Sequence, residues 1–400
     1  MGEIRLIFLF QLYIISIWVN FPFVTLLGAQ FRLEFFTLVF FLFFLTQNRQ
    51  FLGITHLNPT TKRLPLSLIL LIVTNIISSV YFALVPLQSI WMLSQISMGV
   101  IVFYFVQRVE NKYVLFLIAS RTIFKVSFFY IAYSALFFSN IINDPLDMYS
   151  QSDRFHALSF ESNILASQAL FWIFVEIKYR STTKPLQNRL ILSLVVIIFL
   201  SQTRAAIFCL VILALASIWK RSLTAPIGLI QLILISSIAL FLGTVNIHQV
   251  AQNYTEDSLQ GRVLRLVDLN TGTALYRKQV TDIALEDISN SRLQIQLIGS
   301  GTNSFKQHHE IDISKVESGY ISSLWIQIFY DAGLMGLILI VLFFFNQFRM
   351  NTAKSFIGKI FYVSVFLSAG VTNMIWFAYL WLSLAFFVES QTIRPSKAKF

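Results

Sequence analysis

Apolar residues in this chain come in long, nearly unbroken runs rather than in the alternating stripes of helices packed in water. Runs of about 17–25 apolar residues are long enough to cross a hydrocarbon layer roughly 30 Å thick. On this pattern the sequence predicts about twelve transmembrane helices: 4–20, 31–47, 66–85, 88–107, 120–138, 161–177, 190–203, 205–219, 226–243, 321–346, 357–373 and 374–389. The expected fold class is an all-α polytopic membrane protein. Between Leu190 and Trp219 only Ser201-Gln202-Thr203-Arg204 breaks the apolar run, and a single helix there would be roughly 45 Å long at about 1.5 Å per residue. A break at those polar residues gives two short spans. Their turn stays below the membrane surface and sets Arg204 in a polar recess, because non-helical backbone at that depth must be buried in protein or line a wet cavity.

Polar positions then set the orientation. The net charge of +11 would suggest nucleic acid in a soluble protein, but 56% of the residues are hydrophobic and 41 are Phe. The basic residues instead gather in alternate connections, around Arg49–Arg63, Arg108–Lys125, Lys178–Arg189, Lys220–Arg221 and Arg349–Lys359, and at both chain ends. That bias predicts cytoplasmic N- and C-termini. It divides the chain into helices 1–9 over 1–243, an external loop over 244–320 and helices 10–12 over 321–400. The first apolar run lacks a small-residue cleavage site and reads as a retained span. Within the loop, Val280, Ile283, Ala284 and Ile288 predict an amphipathic helix over 274–290. A second external loop, about 139–160, is acidic through Asp144, Asp147 and Asp153. Trp18, Trp219 and Trp376 read as anchors at the membrane interface.

Candidate chemistry is sparse. The single cysteine, Cys209, excludes an intrachain disulfide, and no P-loop or Gly-x-Ser-x-Gly elbow occurs. His308 and His309 are adjacent, with no HExxH or Cys pair, so no metal and no cofactor is expected. What remains is a set of external arginines: Arg204, then Arg262, Arg265, Arg277 and Arg292. A guanidinium is permanently charged and meets phosphate oxygens with a fork of donors, so the set suits a lipid-linked diphosphate. The loop arginines also have acidic neighbours such as Glu256, Asp257 and Asp268 to pair with, whereas an intramembrane charge such as Arg204 is a functional residue by default.

Three stretches in this order resemble the O-antigen ligase/polymerase superfamily of multi-pass glycan-assembling enzymes. RFHALSFESNILAS from Arg154 is similar to its Arg…Gly…(E/N)-P-N-x-x-A element, with Ala157 in place of Gly and Ser162 in place of Pro. LSQTRAAIFCL from Leu200 is similar to S-x-S-R-(G/A)-A. IGSGTNSF from Ile298, then SSLWIQIFYDAGLMGLILIVLF from Ser322, resemble G-x-G-x-N-x-F and H-N-x-Y-L-x-x-x-x-E-x-G-x-x-G. Ser322-Ser323 stands where the ligases have the His-Asn implicated in acceptor deprotonation, a departure that favours the polymerase branch.

The resemblance implies a GT-C-like architecture in a bacterial cytoplasmic membrane. The reaction implied is transfer of glycan from a polyprenyl diphosphate carrier to a lipid-linked repeat unit on the external face, building an O-antigen or capsule. Its partners would be the lipid-linked oligosaccharide, the bilayer, and a chain-length regulator and flippase of the same pathway, with no nucleic acid. Arg204 and Arg277 are the expected stabilisers of the diphosphate, and Glu317, Glu310, His308 and His309 the candidates for a base. Arg154, Asn163, Arg262, Arg265, Asn303, Ser322 and Asp331 are carried over as diphosphate- or glycan-binding positions. Two other readings stay open: a ligase passing finished glycan to a lipid A core or other acceptor, and a flippase or transporter of lipid-linked oligosaccharide.

Overall fold

The computed structural model describes residues 2–20, 22–26, 29–47, 65–109, 112–149, 155–159, 161–179, 184–222, 273–309, 321–352 and 356–387. Among them the chain is helical apart from one short hairpin and its connections. The helices are α1 (Gly2–Val19), α2 (Leu33–Gln47), α3 (Leu66–Tyr81), α4 (Pro86–Arg108), α5 (Lys112–Phe138), α6 (Ser162–Lys178), α7 (Lys184–Leu200) and α8 (Arg204–Ser222). There follow α9 (Thr273–Asn290), the short α10 (Leu293–Ile298) and α11 (Phe305–His308), then α12 (Leu324–Thr352), α13 (Phe356–Val371) and α14 (Ala378–Phe387). Each predicted span overlaps a helix except 226–243, which lies outside the described residues; 374–389 does so only over Ala378–Phe387. Three stretches, Pro86–Gln107, Lys112–Phe138 and Leu324–Arg349, are by length and composition able to cross a membrane, and several shorter helices are equally apolar.

The helices are inside out relative to those of a water-soluble protein. In α3 the buried positions include Asn75, Ser78 and Ser79, while Ile69, Leu70, Val73, Ile76, Ile77 and Val80 are exposed. On α12 the outward residues are Leu334, Met335, Ile338, Val341, Leu342 and Phe345. A surface of this kind is stable only against hydrocarbon, and the polar groups turn inward to find partners. The protein thus has the character of a helical membrane protein.

Two helices form the centre. All residues from Ser162 to Glu176 in α6 and all of α14 are buried, as expected of helices without a polar face. They pack on each other, and α14 also packs on α4. Gly99 permits that second contact, since a Cβ there would overlap the indole of Trp381. Trp18, expected at the membrane interface, is instead 2% exposed in the core, where its carbonyl accepts a 2.9 Å hydrogen bond from Tyr130. Trp219 has no described side chain.

The run from Leu190 is broken where its polar residues predicted. α7 ends at Leu200, Gln202 takes a left-handed backbone (φ 50°), and α8 begins at Arg204. An antiparallel hairpin, β1 (Pro22–Leu26) with β2 (Ala29–Arg32), joins α1 to α2, a connection whose pairing the apolar pattern did not suggest. Beyond α5, the Asp144 carboxylate organises its loop. It accepts from the Tyr133 hydroxyl at 2.6 Å and from the N–H groups of Met148 and Tyr149 at 2.8 and 2.9 Å. Those bonds outweigh partial burial and hold its pKa below the usual carboxylate value.

Helix α9 covers the predicted amphipathic segment almost residue for residue. Val280, Ala284 and Ile288, spaced by four, are buried in a small cluster with Phe305, Ile321 and Tyr330. Ile283 is 41% exposed instead, because three residues from 280 and one from 284 it falls beside that stripe rather than on it.

Candidate functional site

The ends of several helices surround a cleft with about 590 Å³ of space between its walls, its open mouth included. Arg32 from the end of β2, Glu161 and Ile164 at the start of α6, and Met92 and Gln95 of α4 line it. Arg277 of α9, Ile321 and Ser322 before α12, and the α13–α14 connection complete the wall. Of the sequence-predicted positions the cleft therefore brings together Arg277 and Ser322.

Its two arginines are held differently. Arg32 is 13% exposed, donates to the Trp376 carbonyl at 3.2 Å, lies 3.4 Å from a Glu34 carboxylate oxygen, and rests 3.9 Å over the Phe377 ring. It is thereby fixed to the wall by a cation–π contact and hydrogen bonds. Arg277 is half-buried and has no ion-pair partner among the described residues. Glu161 is the one carboxylate among the described lining residues. It occupies the N-cap of α6 in an extended conformation, yet its side chain makes no cap hydrogen bond. Arg32 and Glu161 are the residues that reading the sequence missed. The signal for Arg32 was present: it is a lone basic residue between two apolar runs.

Beside the cleft, the first two predicted stretches meet. The Thr203 hydroxyl lies 3.3 Å from both Asn163 Oδ1 and the Ser162 carbonyl, so it binds the first turn of α6. Its own carbonyl meanwhile accepts from Ile207 N–H at 3.0 Å and starts α8. Phe155 N–H donates to the Leu200 carbonyl at 3.2 Å, closing the same junction. Asn163 is buried here, contacting Thr203, and is not among the cleft lining. Arg204 follows Thr203 directly as the first residue of α8; its side chain lies outside the described residues.

The third pair of stretches forms a lock. Ser300 N–H donates to Tyr330 O at 2.8 Å, Gly301 N–H to Asp331 O at 3.0 Å, and Asn303 N–H to Asp331 Oδ1 at 3.0 Å. Gln327 also donates to that oxygen at 2.8 Å. A Cβ on Gly299 would overlap the Asp331 carbonyl, and one on Gly333 the carbonyl of Leu297. Gly333 adopts φ 65° and ψ −166°, breaking α12 so that Asp331 caps the incoming loop. Thr302 ties the loop to α3 through Ser79 at 3.0 Å and Asn75 at 3.1 Å. Asp331 and Asn303 thus have buried partners within the protein; they shape the 299–305 loop and are not among the described cleft lining.

His309 Nε2 lies 2.5 Å from Asp287 Oδ2, which also accepts from the Tyr330 hydroxyl at 3.1 Å. His308 Nδ1 lies 2.8 Å from the Ser304 carbonyl. Neither histidine lines the cleft. Arg154, Arg262, Arg265, Glu310 and Glu317 lie outside the described residues, as does the loop from 244 to 272. No group of three or more His, Cys, Asp or Glu positioned to hold a metal occurs among the described residues. Set against known proteins, the chain matches no family model and no curated protein sequence.

Proposed function

We propose that the cleft is the reaction site of a membrane glycan polymerase, which transfers glycan from a polyprenyl diphosphate carrier to a hydroxyl of a lipid-linked repeat unit. One observation carries the reading: a cleft whose lining includes two arginines, a carboxylate and a serine opens among the ends of mostly apolar helices. In the charge-based orientation every described lining residue belongs to the external side, namely the starts of α2, α4, α6 and α14, the segment before α12, the end of α13, and α9 of the external loop. An apolar carrier tail would lie against the lipid-facing helices with its diphosphate in the cleft.

The resemblance gains support from local geometry. Ala157, where the superfamily has glycine, has a left-handed backbone (φ 53°) that glycine adopts freely. Ser162, where it has proline, is the first residue of α6, the position at which proline's missing N–H costs nothing. The two glycine stretches interlock around Asp331.

In the proposed reaction the acceptor oxygen attacks the anomeric carbon, the carbon–oxygen bond to the diphosphate breaks, and the leaving oxygen takes the electron pair. Arg277 and Arg204 stabilise the charge developing on the diphosphate, with Arg32 fixed to the cleft wall. Glu161 accepts the proton from the acceptor hydroxyl. Replacing Arg277 or Arg204 by Ala should lower polymer formation by about 10²–10³-fold, the usual loss when one charge-stabilising donor is removed. The carrier-linked species that accumulate in such a strain test the assignment. Single repeat units on the external leaflet support a polymerase. Long chains on the carrier would make the protein a ligase, units held on the cytoplasmic leaflet a flippase, and polysaccharide of normal length would refute the role of these arginines.

A further inference from the structure

The α13–α14 connection, residues 372–377, is buried throughout although it is not helical. Its backbone is tied down. Thr372 N–H donates to Ser368 O at 2.8 Å, Phe377 N–H to Met374 O at 3.1 Å, Trp381 Nε1 to Ile375 O at 2.9 Å, and Arg32 to Trp376 O at 3.2 Å. The side chains differ: the Thr372 hydroxyl, both amide heteroatoms of Asn373 and the Trp376 indole nitrogen have no hydrogen-bond partner among the described residues. These three residues are only 4%, 8% and 4% exposed, and all three line the cleft. Buried polar groups are nearly always paired, and leaving one unpaired is destabilising. Such groups on one wall, carried by a fixed backbone, are the preformed polar contacts of a binding site.

Their chemistry selects the ligand. The wall is neutral, and it offers a donor at Trp376, a donor and an acceptor at Asn373, and a hydroxyl that does both at Thr372. A phosphate, which only accepts, would leave the Asn373 carbonyl unpaired. A sugar ring satisfies all of them, because each hydroxyl both donates and accepts and an acetamido group offers one of each. We infer that Thr372, Asn373 and Trp376 form a saccharide subsite that holds a neutral, hydroxyl-rich ring of the glycan next to the arginines facing the diphosphate. The assignment rests on the reading of the cleft as a glycan-transfer site.

The full-length protein in lipid nanodiscs can be probed with the methyl glycosides of glucose, galactose and N-acetylglucosamine by saturation-transfer NMR. At least one should bind, and inorganic pyrophosphate should not displace it. Asn373→Leu and Trp376→Phe should each weaken binding about tenfold. Asn373→Leu should at the same time keep or raise Tm, since the amide it removes has no partner among the described residues. If Asn373→Leu does not fold, Trp376→Phe carries the test with the ring retained. Absence of glycoside binding by the wild type, displacement by pyrophosphate, or unchanged affinity in the folded variants would overturn the subsite. The Arg277→Ala strain separates this from the parent reading. Normal polysaccharide there with loss of glycoside binding in Asn373→Leu removes the transferase and keeps the subsite. Accumulated single units with wild-type binding in Asn373→Leu remove the subsite alone.

Discussion

Gly333 and Gly299 hold one contact from its two sides. Both have positive φ, and in each case a Cβ would enter the backbone of the opposing strand of the lock. Gly333, at φ 65° and ψ −166°, is in a region essentially reserved for glycine, where another residue costs of order 1–3 kcal/mol before any overlap. Gly333→Ala should therefore lower Tm and speed amide exchange at Gly301 and Asn303, whose N–H groups end on Asp331. Gly370→Ala is the control: a Cβ there meets nothing within 4 Å, so Tm should hold or rise slightly. Equal Tm loss in both variants would mean that the lock is not what Gly333 protects. Asp144 shows the same economy with charge. Because its folded pKa lies below the ordinary value of about 3.9, the stability it lends its loop is fully present above that value. It is lost as the pH falls through the lowered folded pKa. Exchange of the Met148 and Tyr149 amides, corrected for intrinsic rates, should accelerate across that acid window and lose the transition in Asp144→Asn.

At the scale of elements, α9 carries Arg277 to the cleft by means of a single apolar stripe. Ala284, fully buried at the middle of that stripe, has no room for a charge. Ala284→Asp should undock α9 and reduce polymer formation as far as Arg277→Ala does, while Ile283→Asp, on an exposed position, should leave it near wild type. Limited proteolysis within 273–290 reports the docking directly; activity lost with α9 still protected would separate the helix's position from its function. This helix was legible because Val280, Ala284 and Ile288 repeat at helical spacing between polar residues, and the α7–α8 break because four polar residues interrupt an overlong apolar run. The hairpin was not legible: its two short strands are bounded by spans, and no alternating pattern long enough to stand out marks them. Nor was the burial of Trp18, because indoles suit both the membrane interface and a core, and only packing decides between them.

The whole molecule explains why the cleft itself escaped a linear reading. Its walls come from β2, α4, α6, α9, the segment before α12 and the α13–α14 connection, so neighbours in space are separated by up to several hundred residues in sequence. The motif residues that do stand out, Asn163, Asn303 and Asp331, are structural partners behind the site, whereas Arg32 and Asn373 carry no motif at all. What unites the lining is sidedness: helix ends of one polarity, as the distribution of Lys and Arg assigns them. That assignment can be tested without reference to any reaction. In a Cys209→Ser background, Ser322→Cys at the partly exposed lining position should react with a membrane-impermeant maleimide added to intact cells. Asn188→Cys, exposed near the start of α7 at the opposite end, should react only after permeabilisation. The reverse pattern would put the cleft on the cytoplasmic side. A carrier-linked glycan displayed on the outer leaflet could not reach it there, and the polymerase reading would fall however well its arginines suited a diphosphate.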